Sequence, residues 1–257
     1  MDPDCAKAWL GQGLLADQNG DRDHAKALFG HAVTLSAGSL VSTSVFEGSR
    51  ADTQLEADLA QAVSAFLPLV NSSVDVSLLH GPVFALRHYT HQRPRDSSAL
   101  HLYALISERL GLTDDASAAL EAAVTLLEEE FEASESAETE RAYTIALANL
   151  GRVRLAMSQY SASLEAFTSV WELVSSLDNG SGADDVVQRL KVQSRLGQGL
   201  AHFWLDSADK SLDEFQSALD LAGQEGKDEV AVLLARTLWG LGGEDAREAA
   251  KTHLMEW

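Results

Sequence analysis

Three groupings of residues in this sequence have types and spacings that could do chemistry. Gly11-x-Gly13-x-x-Ala16 fits a loose dinucleotide fingerprint, in which a tight turn after a strand presents a pyrophosphate to a helix N-terminus. No strand precedes it, and Trp9 and Leu10 stand in helical phase with Leu14, so the glycines read as a close approach between helices. His80, His88, His91 and His101 are imidazoles that could hold a metal, and His88 and His91 share a helix face. No cysteine or carboxylate stands at ligand spacing beside them, so surface or satisfied histidines are favoured and no metal is expected. Arg87, His88, His91, Arg93 and Arg95 with Tyr89 form the basic cluster of the chain, and an aromatic set among cations can stack on an unpaired base. With two mostly neutral histidines the patch is weak, and pairing with acidic neighbours or a partner is the favoured role.

The opposite charge gathers between Glu128 and Glu140, where seven glutamates form either a solvated helix end or a dock for a basic partner segment. Gly-x-Ser-x-Gly, Walker, HExxH and kinase signatures are absent from the sequence. We therefore expect no catalytic residue, no cofactor and no enzyme.

The elements that carry these residues follow from composition. Of 257 residues, 38 are alanine and 39 leucine while only two are isoleucine, a balance that favours helix over strand. An all-α chain is predicted. Formal charge is −20, and the acids are uneven: 15 against 8 basic side chains up to residue 127, then 24 against 11. Such a surface repels nucleic acid, so direct RNA or DNA binding is disfavoured, and a basic partner should prefer the second half. A single cysteine, Cys5, excludes an intrachain disulfide, and no apolar window approaches the roughly 20 residues of a membrane span. The expectation is a soluble protein of a reducing compartment that engages no membrane.

Internal repetition then fixes the kind of helical fold. LGQGL occurs at Leu10–Leu14 and again at Leu196–Leu200, each followed at a matching distance by an aromatic, Phe29 or Phe215, and a small residue, Ala32 or Ala218. This is the tetratricopeptide (TPR) pattern, in which small residues near positions 8, 20 and 27 of a 34-residue unit let two antiparallel helices approach and large ones near 4 and 24 fill the space between. The first repeat reads Trp9, Gly13, Gly20, Ala25, Phe29, Ala32, Leu35 at positions 4, 8, 15, 20, 24, 27 and 30; a second reads Leu100, Ala104, Gly111, Ala116, Leu120, Ala123, Leu126. A third carries Leu147, Gly151, Ser163, Phe167, Val170 and Leu173, and a fourth Gly199, Ser211, Phe215, Ala218 and Leu221. The predicted fold class is an all-α, TPR-type α-solenoid of antiparallel helix pairs with inserted helices. One array over residues 1–257 is expected, with repeats near 5–38, 96–130, 141–177, 184–224 and 227–257 and an irregular segment over 39–95. In that segment we expect helices near 40–48 and 52–67, a loop over 71–81 and a helix opened by Pro82.

Beyond the repeat itself, AWLGQGLLA at Ala8–Ala16 running into LFGHAVTLS at Leu28–Ser36, SERLGL at Ser107–Leu112 and NLGRVRLAMSQYSASLEAF at Asn149–Phe167 resemble the TPR scaffold subunits of superkiller (Ski) complexes. The resemblance implies that the chain is a fragment of a much longer scaffold. It further implies a non-catalytic protein that holds a DExH-box RNA helicase and WD-repeat subunits in an assembly feeding mRNA to the exosome for 3′–5′ decay. A cytoplasmic location is implied too, with the nucleus as the alternative.

Positions 2, 5, 9, 12 and 13 of each first helix line the inner face of a TPR array. In the registers above they include Leu10, Leu14, Leu196, Leu200, Phe203, Trp204, Leu238 and Trp239, an apolar candidate groove for a partner. The alternative is that neighbouring helices cover these side chains, as most large apolar residues are core. At the level of function, the alternatives are a TPR adaptor of another multiprotein assembly and, more remotely, an RNA-binding or metal-dependent helical enzyme.

Overall fold

In the computed structural model the described residues are 5–43, 76–134, 136–176, 185–222, 224–241, 247–248 and 250–251. Among them all regular structure is helical: α1 (Ala6–Gln18), α2 (Arg22–Thr43), α3 (His80–Gln92), α4 (Ser97–Arg109), α5 (Thr113–Ser134), α6 (Ala137–Ala156), α7 (Tyr160–Ser176), α8 (Asp185–Trp204), α9 (Ala208–Leu221) and α10 (Gln224–Leu241), with a 3₁₀ turn at Val76–Leu79. Helix pairs α1/α2, α4/α5, α6/α7 and α8/α9 occupy the four repeats read from the sequence. The chain divides into two compact units, Met1–Leu126 and Leu127–Trp257.

Each of the four pairs turns in the same way. Position 15 is Gly20, Gly111, Ser158 and Asp206 in successive repeats, and all four have positive φ, at 81°, 75°, 61° and 54°. The amide of the following residue donates to a carbonyl five residues back: Asp21 to Ala16, Leu112 to Ser107, Gln159 to Arg154 and Ser207 to His202. This is a Schellman closure, which satisfies the last carbonyls of the first helix and needs a left-handed residue at that position. Glycine meets the need without strain in the first two repeats; serine and aspartate carry a steric penalty in the last two.

Packing inside each pair follows from side-chain size at positions 8 and 24. Where position 8 is Gly13, Gly151 or Gly199, position 24 is Phe29, Phe167 or Phe215, with the ring lying where a Cβ would stand. Where position 8 is Ala104, position 24 is Leu120, and both are fully buried. The phenylalanine ring fills the volume that the missing Cβ vacates. Ser163 and Ser211 at position 20 add a bond, each hydroxyl donating to the carbonyl of the position-8 glycine, Gly151 or Gly199, at 2.8 Å. Phe167 also lies against Gly197 of the next repeat, so one ring closes α6, α7 and α8 together.

In the first unit α2 packs on α1 and on α3, and α3 packs on α4. Asp96 joins the last two: its carboxylate caps α4 by accepting from the Ala99 amide at 2.9 Å and accepts the Tyr89 hydroxyl at 2.9 Å. In the second unit α8 packs on α6, α7 and α9, and α9 on α10, around Phe215, Leu234, Ala235, Leu238 and Ala250.

The irregular segment departs from expectation where it is described. Helix α2 runs unbroken to Thr43, so the start of the helix expected at 40–48 belongs to it; no proline or capping sequence interrupts Ser36–Leu40. The loop expected over 71–81 is instead 3₁₀ at Val76–Leu79 and helix from His80, with Pro82 in its first turn. Residues 44–75, including the helix expected at 52–67, lie outside the described residues. The glutamate run divides between two helices: Glu128–Glu132 extend α5, and Ser136 caps α6, whose first turn holds Glu138 and Glu140.

Candidate protein-interaction surface

The structure separates the eight residues of the expected groove into three kinds. Leu10, at 2% exposure, and Leu238, at 9%, are core side chains. Leu14, Leu196, Leu200 and Phe203 are partly buried, and Leu196 and Leu200 pack against the Phe215 and Leu238 core. Trp204 and Trp239 stand out at 56% and 53% exposure.

Trp204 is held rather than free. It ends α8, one position before the Schellman turn, and its ring stacks on Tyr160 at the start of α7, centroids 5.7 Å apart and planes within 10°. Phe203 meets its edge at 5.3 Å. Leu205 follows, exposed, so four apolar residues from two repeats form one surface in the second unit. Trp239, on α10, has the Arg247 guanidinium 5.6 Å from its ring centroid.

The sequence reading missed the polar counterpart of this surface. Arg195 sits at position 4 of the fourth repeat, where the other three carry Trp9, Leu100 and Leu147. Its guanidinium lies over Trp171 of α7, and its Nη1 donates to Glu214 of α9 at 2.7 Å and to Gln198 at 3.3 Å. Gln198 in turn donates to Thr168 at 3.3 Å. The signal was a cation at a position that packs a large apolar side chain; only the structure shows an aromatic face and a carboxylate waiting for it.

Gly11 and Gly13 lie inside α1, and a Cβ on Gly13 would meet Phe29, so the glycines serve helix packing. His80, His88 and His91 are exposed, and among the described residues no three His, Cys, Asp or Glu side chains gather to hold a metal. His101 is held neutral: burial lowers its pKa to about 4. In the basic cluster Tyr89 is core, not a stacking platform. Burial and the Asp96 carboxylate push its hydroxyl up to about 12, and Arg93 covers its ring at 5.3 Å. The ring faces α4, where its hydroxyl is held by Asp96, so it does not offer the face on which an unpaired base could stack. In the first unit, α2 and α3 enclose a cleft of about 560 Å³ lined by Lys26, His31, Thr34, Pro82 and exposed Phe84.

In the glutamate run, Tyr143 donates to Glu128 at 3.3 Å and stacks on Phe131 at 6.4 Å. Burial and the neighbouring Glu128 and Glu132 carboxylates raise the Tyr143 pKa. Among the described residues no helix is long and apolar enough to cross a membrane.

Comparison with known proteins agrees with this geometry. The tetratricopeptide repeat family model matches residues 6–38, the α1/α2 pair. The MamA protein shares the fold, with a TM-score of 0.54 at 15% identity over 88% of this chain and 94% of that one. The fold is a TPR solenoid. Superkiller protein 3 of Schizosaccharomyces pombe is 31% identical over 173 residues, 67% of this chain and 12% of that protein. Superkiller protein 3 of Saccharomyces cerevisiae is 23% identical over 257 residues, 99% of this chain and 17% of that protein. The chain is thus a TPR protein similar to a segment of Superkiller protein 3, as its sequence motifs implied, and it spans less than a fifth of the length of these relatives.

Proposed function

We propose that this chain is a non-catalytic protein-interaction scaffold of the superkiller complex, acting in the cytoplasm in helicase- and exosome-dependent 3′–5′ mRNA decay. The observation that carries the proposal is the 31% identity to Superkiller protein 3 through 173 residues, far more than the 33 residues matched by the repeat model. The partners in this reading are a DExH-box RNA helicase and WD-repeat proteins, and the repeats over 5–38, 96–130, 141–177, 184–224 and 227–257 act as one TPR-like array. Exposed Trp204 and Trp239, with partly buried Leu196, Leu200 and Phe203 in the same unit and partly buried Leu14 in the first unit, are its candidate contacts. Large aromatics in partly enclosed sites dominate interface energies.

Supporting this reading is the absence of nucleophile, metal and phosphate signatures from the sequence, and a charge of −20 that opposes direct RNA binding. The test is retention of the purified helicase and WD-repeat subunits on immobilised chain. Retention of either, weakened about ten-fold or more by Trp204→Ala or Trp239→Ala at unchanged stability, supports the scaffold and its contacts. Retention of neither overturns the superkiller assignment.

A further inference from the structure

We propose that the Tyr160–Trp204 stack is a docking platform for an arginine-bearing segment of a protein partner. The inference deepens the scaffold reading and rests on it. Its starting point is an asymmetry among the tryptophans of the second unit. Trp171 carries Arg195, with the guanidinium carbon 3.6 Å from its centroid, and Trp239 carries Arg247 at 5.6 Å. Among the described tryptophans Trp204 is the most exposed, and its ring contacts are Tyr160 and Phe203; among the described residues no cation lies over it. One face of the indole is taken by Tyr160, so the exposure belongs to the other face and the edge. An electron-rich face of this kind attracts a guanidinium, and stacking of Tyr160 behind it fixes the ring so that little side-chain freedom is lost on binding.

Charge favours the same occupant. Residues after 127 carry 24 acidic against 11 basic side chains, so the unit draws cations and repels polyanions. Beside the platform, Asp206 occupies the left-handed turn position that the first two repeats give to glycine, with φ at 54°. Its carboxylate is exposed and two residues from Trp204 in the chain. Lys210 acts on His202, two residues from Trp204, and Arg154 donates to the Ala162 carbonyl, two residues from Tyr160, so the cations already near the platform favour one arginine over a dense basic run. Phe203 and Leu205 supply apolar contact for a residue flanking that arginine. An unpaired nucleic acid base could stack on the same ring, but its phosphates would meet the acidic surface; the chemistry fits a peptide.

The test uses the full chain and three labelled probes followed by fluorescence anisotropy: a nine-residue peptide with one central arginine between leucines, the same peptide with glutamate for the arginine, and an oligouridylate of similar length. We expect the arginine peptide to bind and the other two not to. Trp204→Ala should weaken it about ten-fold and Asp206→Asn by a smaller factor, while Val232→Ala, an exposed apolar residue on α10, leaves it unchanged. Thermal melting of each variant confirms that the fold persists, and Tyr160→Leu, which removes the stacking partner alone, should weaken binding at intact Trp204. Equal binding of the glutamate peptide, preference for the oligouridylate, or no effect of Trp204→Ala overturns the proposal. So does concentration-dependent dimerisation lost in Trp204→Ala, which would assign the surface to a second copy. If no peptide binds while purified helicase or WD-repeat subunits are still retained equally by wild type and Trp204→Ala, the platform fails and the scaffold stands. If neither subunit is retained, the scaffold reading itself has failed.

Discussion

The guanidinium carbon of Arg195 lies 3.6 Å from the centre of the Trp171 ring, while its Nη1 holds the Glu214 carboxylate at 2.7 Å. One side chain thereby ties α7, α8 and α9, with side-chain exposure of only 22% for the arginine and 20% for the glutamate. Removing it leaves a largely buried carboxylate without its partner and the indole without its cation. Arg195→Ala should lower unfolding free energy by about 2 kcal/mol, and Arg195→Lys should recover less than half, since an ammonium cannot stack and donate in the same geometry. Urea denaturation of the two variants measures both; a loss within 0.5 kcal/mol, about the noise of surface substitutions, would remove the tie.

The glycines divide by what a methyl group would meet. A Cβ on Gly13 would stand 2.5 Å from Phe29, and one on Gly197 would overlap Phe167, whereas Gly11 and Gly30 have nothing within 4 Å. Gly13→Ala and Gly197→Ala should each destabilise by about 1–3 kcal/mol through overpacking. Gly11→Ala and Gly30→Ala, in helix interiors, should stabilise by about 0.5–1 kcal/mol by restricting the unfolded chain. Opposite signs at Gly11 and Gly13, two residues apart, are the outcome to look for in thermal melts.

The Schellman turns predict a second reversal of sign. Ser158→Gly and Asp206→Gly should raise stability by roughly 0.5–1 kcal/mol, because both hold a left-handed conformation that glycine adopts freely. Gly20→Ala and Gly111→Ala should lower it by about 1 kcal/mol for the same reason. Calorimetry of the four variants checks the pattern, which fails if serine and glycine prove equivalent at position 158.

His101 gives the fold a pH dependence of known sign. Its folded pKa, lowered to about 4 by burial, lies below the ordinary value of 6.5. Between those values the unfolded chain binds a proton that the folded chain does not, so stability falls as pH drops from about 6.5 toward 4, by at most about 1.4 kcal/mol per pH unit. Comparing His101→Gln with wild type at pH 7 and pH 5 isolates the term: the variant should lose less stability over that interval, and equal losses would exclude His101 as its source.

Much of the fold was legible because a TPR unit writes its packing into residue size. Gly13, Gly151 and Gly199 against Phe29, Phe167 and Phe215 announced close helix pairs. Ser158 and Asp206 were not legible as turn residues, since neither type demands positive φ; only the repeat register places them there. The long α2 was missed because Ala37, Gly38 and Ser39 offer no firm stop, and nothing in the local pattern says whether a helix ends or continues.

The candidate surface shows where sequence stops. Register put Leu10, Leu238, Trp204 and Trp239 on one nominal face, yet two are core and two are exposed. Periodicity gives the direction of a side chain on its own helix, whereas burial depends on what packs there from elsewhere in the chain. The sequence by itself determined the helical class, the repeat unit, the acidity and the superkiller resemblance, all of which are properties of local order and composition. Only the tertiary structure decided that Tyr89 is core, that Arg195 joins Trp171 to Glu214, and that Trp204 rests on Tyr160. Each of those contacts depends on residues brought together by the fold from different helices.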